Sequence, residues 1–230
     1  MRPYVYVNVA MSADGKISTT ARKQVRISGK EDFQRVDRLR AESDGIMVGI
    51  GTVLSDNPSL TIKSDELKKR RLHEGKDENP VRIVVDSHAR TPPDADILHR
   101  GAGRRIIAVS RSARSEKIAT LERKAEILVA GDNEVDLAAL MDQIGERGVE
   151  RLMVEGGGTL IYSLFAQGLV NEFCTYVGNL VIGGGSAPTP ADGAGFMLEK
   201  HFVRLELKQV VPMDSGVLIR WKVKGGGFTS

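Results

Sequence analysis

The stretch Arg151-Leu152-Met153-Val154-Glu155-Gly156-Gly157-Gly158-Thr159 joins a short apolar run to a helical pattern that continues to residue 167. Residues 151–154 predict a buried strand, so the three glycines stand between a strand and a helix. Glycines let a ligand approach the backbone closely, and the first N–H groups of a helix attract anions. A tight turn also favours glycine, but three in succession exceed that need. We therefore interpret residues 156–159 as a contact for a phosphate or a dinucleotide.

The same alternation of strand and helix continues on both sides of this stretch. Strands are predicted at residues 4–9, 45–49, 81–86, 105–109 and 125–129, and helices at 30–41, 115–124 and 136–146. Such alternation predicts a mostly parallel sheet covered by helices. Three C-terminal runs, at 172–177, 204–211 and 217–223, have no helix between them and predict antiparallel strands. We expect one α/β domain with a mixed sheet over residues 1–224, and a flexible tail at 225–230.

The composition limits the kinds of site that this chain can form. Its 230 residues are 41% hydrophobic and 27% charged, which is typical of a globular protein. One cysteine, Cys174, excludes an internal disulfide, and the four histidines lack metal-ligand spacing, so we expect no metal. The net charge of +3 suits an anionic ligand without requiring one. No stretch is apolar enough for a signal peptide or a membrane span, so we expect a cytoplasmic protein.

In the helix predicted at residues 30–41, apolar residues recur at helical spacing. Phe33, Val36 and Leu39 should therefore face the core, and Ser28 should cap the helix. Two later segments, 64–79 and 183–195, look like loops. The first contains Lys68-Lys69-Arg70-Arg71, which suits a solvated surface insertion better than a nucleic-acid contact. The second is rich in Gly, Pro and Ala, and it is either mobile or ordered by a partner.

Polar residues follow the strands predicted at 45–49, 81–86 and 105–109, where open α/β sheets bind ligands. The dinucleotide fingerprint GxGxxG is absent, because Leu54 stands where the third glycine should be. Thr52 donates a hydroxyl to a cofactor or caps a turn, and Asp56 orients a ligand group or caps the backbone before Pro58.

The next two strand ends carry Asp86 with Ser87, and Ser110 with Arg111. An Arg and Ser pair beside a ribose would suit a 2′-phosphate, and thus NADP over NAD. A solvent-facing arginine explains Arg111 equally well. Near the N-terminus, Asp14-Gly15 predicts a hairpin turn.

Four motifs stand in a fixed order along the chain. They are Asn8-x-x-x-Ser12-x-Asp14-Gly15-Lys16, Asp44-Gly45-Ile46-Met47-Val48-Gly49-Ile50-Gly51-Thr52-Val53-Leu54-x-Asp56-Asn57-Pro58, Asn79-Pro80-Val81-Arg82-Ile83-Val84-Val85-Asp86-Ser87, and Glu155-Gly156-Gly157-Gly158-Thr159. Together they resemble the riboflavin-specific reductase family, and its archaeal members in particular. The resemblance extends from Pro3 to about Lys224.

The resemblance implies a dihydrofolate-reductase-like fold, a homodimer and NADPH as cofactor, although the residues do not decide between NADPH and NADH. It implies reduction of 2,5-diamino-6-ribosylamino-4(3H)-pyrimidinone 5′-phosphate to the ribitylamino product in riboflavin biosynthesis. Implied cofactor contacts are Ala10, Thr52, Asp56, Ser87 and residues 157–159, to which we add Asp86, Ser110, Arg111 and Gly156. Implied substrate contacts are Gln24, Arg40, Leu60, Lys63 and Glu155, to which we add Asn8. Arg40 and Lys63 are the natural pair for the 5′-phosphate.

The chain departs from the family pattern in two respects. One cysteine excludes the zinc deaminase signature of the bifunctional relatives, so we expect reduction without deamination and a substrate that is still diamino. Asn57 replaces a frequent second aspartate. Glu155 is our first candidate for acid–base or binding work on the substrate and Asp56 the second. The alternatives are the deaminated uracil analogue, a pterin or dihydrofolate substrate, and a non-catalytic binder of nucleotides or nucleic acid.

Overall fold

The computed structural model describes residues 1–23 and 25–227. The strands are β1 (Tyr4–Met11), β2 (Gly45–Gly49), β3 (Val81–Val85), β4 (Arg105–Val109), β5 (Glu126–Val129), β6 (Arg151–Gly156), β7 (Glu172–Val177), β8 (Arg204–Met213) and β9 (Gly216–Gly225). The helices are α1 (Lys30–Glu42), α2 (Ile50–Asp56), α3 (Asp65–His73), α4 (Asp96–His99), α5 (Ser115–Leu121), α6 (Leu137–Glu146) and α7 (Gly158–Ala166). No helix in the described ranges is long and apolar enough to cross a membrane.

The chain packs as two compact units. The first contains residues 1–4 and 36–153, which include only residues 151–153 of β6. Its strands lie in the order β5-β4-β3-β2-β6. Strands β2 to β5 pair in parallel, and Met47, Ile83 and Ile106 stand in one row across them, all buried. Strands β2, β3 and β4 are largely buried on both faces, so their sequences are mostly apolar rather than alternating, whereas the edge strand β5 begins with the exposed Glu126. The predicted parallel sheet is confirmed.

Helix α6 follows directly from its sequence pattern. Leu137, Leu140, Met141 and Ile144 are all buried on its inner face, as their spacing predicts. The carboxylate of Asp136 accepts a hydrogen bond from the backbone N–H of Ala139 at 3.0 Å and caps the first turn.

The second unit contains the described residues of 5–35 and 154–227, with strands in the order β6-β1-β7-β9-β8. Strand β1 pairs in parallel with β7, so that Asn8 lies opposite Cys174. Strands β9 and β8 are antiparallel and end the sheet of this unit. The mixed, mostly parallel sheet with antiparallel C-terminal strands is therefore confirmed. Of the predicted tail, residue 227 donates its backbone N–H to the carbonyl of His201, and residues 228–230 lie outside the described part.

The prediction of a loop over residues 64–79 was wrong, because this segment contains α3. Ser64 caps the helix by accepting a hydrogen bond from the N–H of Leu67. The buried residue of α3 is Arg71, which is 2% exposed. Its guanidinium donates hydrogen bonds to the carbonyls of Ala41, Ser43 and Asp77. An inward face formed by an arginine has no apolar pattern, so hydrophobic periodicity does not detect it.

Helix α1 is confirmed, but its predicted inner face is only partly correct. Phe33 is 51% exposed and lies beneath the guanidinium of Arg26, whereas the neighbouring Asp32 is buried. The cap comes from Asp214, whose carboxylate accepts the N–H groups of Glu31 and Asp32 at 3.0 Å each. A cap 182 residues away in the chain has no local signal, and this explains why Ser28 was predicted instead.

The segment 183–195 contains neither helix nor strand, but the chain itself holds it in place. Ile17 donates its backbone N–H to the carbonyl of Pro188 at 2.9 Å, and Lys16 donates to the carbonyl of Ala187. Asp192 accepts hydrogen bonds from the N–H and hydroxyl of Thr189. These hydrogen bonds connect the loop to residues 16 and 17 and to itself.

Candidate active site

Arg40 and Lys63 converge on Thr61 in the first unit. Arg40 lies in the last turn of α1, and its Nη1 donates to the carbonyl oxygen of Thr61 at 3.1 Å. The Lys63 ammonium donates to Oγ1 of Thr61 at 2.9 Å and to Oγ of Ser59 at 3.1 Å. Two cations and two hydroxyls thus form one cluster, which is the donor set that a phosphate requires. The pKa of Lys63 is lowered, mainly because its ammonium is partly buried and secondly because the positive charge of Arg40 lies nearby. Lys63 is nevertheless an exposed residue.

The backbone around this cluster is tightly shaped. Asp37 of α1 accepts the N–H groups of Lys63 and Ser64 at 2.7 and 2.8 Å. Leu60 is buried and has a φ of 50°, in the left-handed region that a leucine rarely adopts. Strain of this kind persists only where the surroundings impose it, and it often accompanies functional sites. The sequence-predicted residues Arg40, Leu60 and Lys63 are therefore brought together.

Helix α2 presents Thr52 and Asp56 four residues apart, on one face, and both are half-buried. Asn57, the C-cap residue of α2, has a φ of 43°. The Asn57 side-chain oxygen accepts the N–H of Asp96 at 2.8 Å and so caps α4. An aspartate could accept the same bond, so the asparagine keeps the hydrogen bonding of this turn.

The turn after β3 is organised by Asp86, which is 0% exposed. Its Oδ2 accepts hydrogen bonds from the N–H and the hydroxyl of Thr91 at 2.7 and 2.8 Å, and Arg90 lies 3.4 Å from Oδ1. Ser87 is half-buried, and its hydroxyl accepts the N–H of Val135. Asp86 therefore shapes the turn from within, whereas Ser87 lies nearer the surface.

The turn after β4 follows the same pattern. The buried hydroxyl of Ser110 bonds to the carbonyls of Ser87 and Asn133, and so ties the turns after β3 and β4 together. The side chain of Arg111 is 73% exposed and forms an ion pair with Asp132, which is equally exposed. The exposed Ser112 hydroxyl lies 3.4 Å from Nδ1 of His88. Hence Arg111 and Ser112 present polar atoms at the surface, and Ser110 supports them from beneath.

In the second unit, β6 leads through the glycines into α7. Glu155 is half-buried at the end of β6, the Gly156–Gly157 peptide bond is cis, and Gly157 precedes the first turn of α7 without a side-chain cap. A Cβ atom on Gly158 would lie 2.5 Å from the carbonyl oxygen of Thr189, so this position requires glycine. Thr159 is exposed beside it. Gly157, at the N-cap position, has no side chain to accept the first N–H groups of α7, and such groups at a helix start attract anions.

Strand β1 carries Asn8, which is buried, and Ala10 two residues later on the same face. A turn is present at Asp14-Gly15, since Ser12 donates its N–H to the carbonyl of Lys16 and Gly15 has a φ of 78°. The prediction that this turn forms a hairpin was wrong, because the described residues between Met11 and Lys30 contain no second strand. The Asp14 carboxylate accepts the Ser12 hydroxyl and the N–H groups of residues 182 and 183. Gln24, a predicted substrate contact, lies outside the described residues.

Sequence reasoning missed several polar residues of these clusters. The hydroxyls of Ser59 and Thr61 accept hydrogen bonds from Lys63 but belong to no motif, and Ser112 stands two residues beyond the predicted Ser110. Arg35, which contacts Asn8, is one of several arginines on α1 and has no distinguishing spacing. Within the described ranges, no group of three or more His, Cys, Asp or Glu residues could hold a metal ion.

Known proteins resemble this chain over most of its length. The family model described as the RibD C-terminal domain matches residues 3–219. The 2,5-diamino-6-ribosylamino-4(3H)-pyrimidinone 5′-phosphate reductase of Archaeoglobus fulgidus is 54% identical over 90% of this chain and 94% of its own length. The protein of that name from Methanothermobacter thermautotrophicus is 45% identical over 98% of this chain and all of its own length.

A solved structure shares the fold. RibD of Acinetobacter baumannii superimposes with a TM-score of 0.77 at 24% identity, covering 97% of this chain and 59% of that one. At this identity the likeness concerns the fold alone. The motifs, the family match over residues 3–219 and the two near full-length relatives agree with one another. The chain belongs to the RibD C-terminal domain family.

Proposed function

We propose that this protein reduces the ribosylamino group of 2,5-diamino-6-ribosylamino-4(3H)-pyrimidinone 5′-phosphate to a ribitylamino group, with NADPH as reductant. The observation that carries the proposal is the 54% identity to a protein named as that reductase, over 94% of its length. The proposal makes the chain an oxidoreductase of riboflavin biosynthesis. The geometry of the candidate site supports it at three points.

The first point is the cluster of Arg40, Lys63, Ser59 and Thr61. A guanidinium grips two phosphate oxygens in one plane, and an ammonium with neighbouring hydroxyls neutralises the remainder. A substrate phosphate would replace hydrogen bonds that Lys63 now makes to Ser59 and Thr61. Leu60, between these residues, would contact the substrate. This cluster favours a phosphorylated sugar over a pterin, which carries no phosphate.

The second point concerns the cofactor. Thr52 and Asp56 on α2, Ser87, the first turn of α7 and Ala10 would contact NADPH. The start of α7 fits a pyrophosphate, because its N-cap residue Gly157 has no side chain to accept the first N–H groups. Arg111 would release Asp132 and bind the ribose 2′-phosphate together with Ser112, and Asp86 and Ser110 would hold the turns beneath. This assignment favours NADPH, because NADH has no ribose 2′-phosphate for Arg111 to bind.

The third point is the supply of acid–base groups. The ribosylamine opens to an imine at the first carbon of the sugar, and the nicotinamide supplies a hydride when it is bound. Glu155 would bind the pyrimidine or assist ring opening by proton transfer, and Asp56 is the second candidate. Asn8 would hold the substrate, and Gln24 would add a further contact. The protein thus aligns the reactants and moves protons.

We further propose that the protein is a cytoplasmic homodimer with one functional domain over residues 1–224. Strand β8 lies at the edge of the sheet in the second unit and exposes three large apolar side chains, Leu205, Leu207 and Val210. An unpaired edge with apolar side chains favours association. A second copy of the chain would cover it.

Steady-state kinetics test the proposed function. Oxidation of NADPH is followed with the diamino substrate, with its deaminated uracil analogue and with dihydrofolate. We expect oxidation with the diamino compound. Oxidation with the uracil analogue alone would keep the chemistry but reverse the order of reduction and deamination. Oxidation with dihydrofolate alone would replace the proposal by a pterin reductase.

A further inference from the structure

The side-chain amide of Asn8 has a defined orientation. Its Oδ1 accepts a hydrogen bond from Nη2 of Arg35 at 2.7 Å, in a buried position on β1. A guanidinium donates hydrogen bonds and accepts none, so the atom that faces it must be the amide oxygen. The Nδ2 group, with its two N–H donors, therefore points away from Arg35.

Arg35 is itself held from several directions. Its Nε donates to Oδ1 of Asp32 at 2.8 Å, and Nη2 lies 2.7 Å from the same oxygen. Its Nη1 lies 3.7 Å from Sγ of Cys174, the residue opposite Asn8 on β7. Asp32 and Arg35 are only 3% and 12% exposed. Every guanidinium nitrogen thus has a neighbour that restrains it.

Two further groups support this arrangement. Burial raises the pKa of the Cys174 thiol, so the sulfur stays neutral and does not compete as an anion for Arg35. The carboxylate of Asp214, in the turn between β8 and β9, accepts the backbone N–H of Asp32. The start of α1 is therefore fastened to the sheet of the second unit, and the Asp32–Arg35 pair with it.

Stability alone does not require a buried ion pair at this position. Ion pairs three residues apart on a helix contribute little when they are exposed. Burying both charges carries a desolvation cost that well-packed apolar side chains would avoid. The specific effect of Arg35 is to fix the amide of Asn8, because an apolar side chain would leave that amide free to rotate.

We infer that Arg35 is a positioning residue that presents the Asn8 amide as a hydrogen-bond donor to the substrate. The inference rests on the proposed function, in which Asn8 contacts the substrate. A pyrimidinone offers carbonyl and ring-nitrogen acceptors, which match two N–H donors. An amide free to rotate would present its own oxygen to these acceptors for part of the time, and two acceptors repel each other.

A double-mutant cycle tests this inference. One arm replaces the ion pair by Asp32→Asn with Arg35→Met, which avoids leaving a lone buried carboxylate. The other arm is Asn8→Ala, and the third variant combines the two. Arg2→Met is the matched control, because Arg2 also forms a two-bond pair with an aspartate, Asp142, but on the surface.

The ion-pair variant should raise the substrate KM about tenfold, the effect of losing one well-placed hydrogen bond, with an unchanged KM for NADPH. In the Asn8→Ala background the same change should alter the substrate KM less than about twofold, because the amide to be oriented is absent. Arg35→Lys, which keeps a charged donor, should stay within about threefold of wild type. Arg2→Met should leave both constants unchanged.

Equal effects in both backgrounds, or an unchanged substrate KM in the ion-pair variant, would overturn the inference and leave the proposed function intact. If the ion-pair variant does not fold, Asp32→Asn with Arg35→Gln takes its place in the cycle, and an effect of equal size with and without Asn8 again overturns the inference. A wild-type protein that does not turn over the diamino substrate refutes the proposed function, and the inference is refuted with it.

Discussion

Replacing Gly158 by alanine should damage both stability and cofactor binding. The added Cβ would lie 2.5 Å from the carbonyl oxygen of Thr189 and 3.0 to 3.1 Å from atoms of Asp192. Because the nearest atom belongs to the backbone, the loop or the helix start must move by roughly 1 Å to restore a normal contact. Overpacking of this kind costs about 1–3 kcal/mol, which lowers the melting temperature by roughly 2–12 °C for a protein of this size.

The same displacement should weaken NADPH binding, since it moves the N–H groups at the start of α7 that we assign to the pyrophosphate. We expect a Kd at least about tenfold higher, measured by calorimetry alongside the thermal melt. Gly185→Ala is the matched control. Gly185 lies in the loop 183–195, which also contains Thr189 and Asp192. A Cβ atom added to Gly185 would meet no atom within 4 Å, and its φ is not positive. If Gly158→Ala melted and bound NADPH like Gly185→Ala, the assignment of the α7 start would be wrong.

Three further substitutions test other parts of the site. Glu155→Gln should lower kcat by about 100-fold or more with an unchanged Kd for NADPH, and unchanged turnover would remove Glu155 from the mechanism. Arg40→Ala should raise the substrate KM at least about tenfold, since charge-assisted hydrogen bonds contribute roughly 1.5–3 kcal/mol, and a change below about twofold would show that Arg40 does not hold the phosphate. The hydroxyl of Ser12, with backbone N–H groups, lowers the pKa of Asp14 to about 2 from an ordinary value of 3.8. The ionised Asp14 stabilises the fold at pH values above its ordinary pKa, and this stabilisation is lost as the pH falls from that value toward about 2. The melting temperature of wild type should therefore fall more steeply with pH in this window than that of Asp14→Asn. Parallel curves for the two proteins would contradict this prediction.

The fold could be predicted wherever apolar residues carry the pattern. Strands β2 to β4 and helix α6 bury continuous or periodic apolar residues, and both were located correctly from residues such as Ile83 and Leu140. The C-terminal strands were recognised as antiparallel because the sequence shows no clear helical pattern between them. In these elements the burial of apolar area determines structure, and the residues that report it are visible locally.

The rest depends on polar groups whose partners lie far away in the chain. Helix α3 is buried through Arg71, and α1 turns Asp32 and Arg35 inward while Phe33 remains exposed. Charged residues are read from sequence as solvated, and only the three-dimensional partners show that they are not. The same applies to Asp214, which caps a helix 182 residues away.

The site residues divide in a similar way. The glycines before α7 and the polar ends of β3 and β4 could be located from sequence, because strand ends and helix starts define where ligands bind. The sequence could not show which of the two serines after β4 faces the surface. Ser110 and Ser112 are the same residue type and differ only in their burial within the turn. Residues 59 to 63 adopt a backbone shape, including the positive φ of Leu60, that no local pattern predicts.

Tracing the hydrogen that reaches the sugar is the decisive experiment for the proposed function. NADPH that carries deuterium at the transferable position of nicotinamide C4 is incubated with the diamino substrate and the enzyme, and the product is examined by mass spectrometry and NMR. We predict a ribitylamino product that has gained one deuterium and one hydrogen, with the deuterium on the first carbon of the former ribose. A product without deuterium at that carbon, or oxidation of NADPH without a reduced sugar, would contradict it.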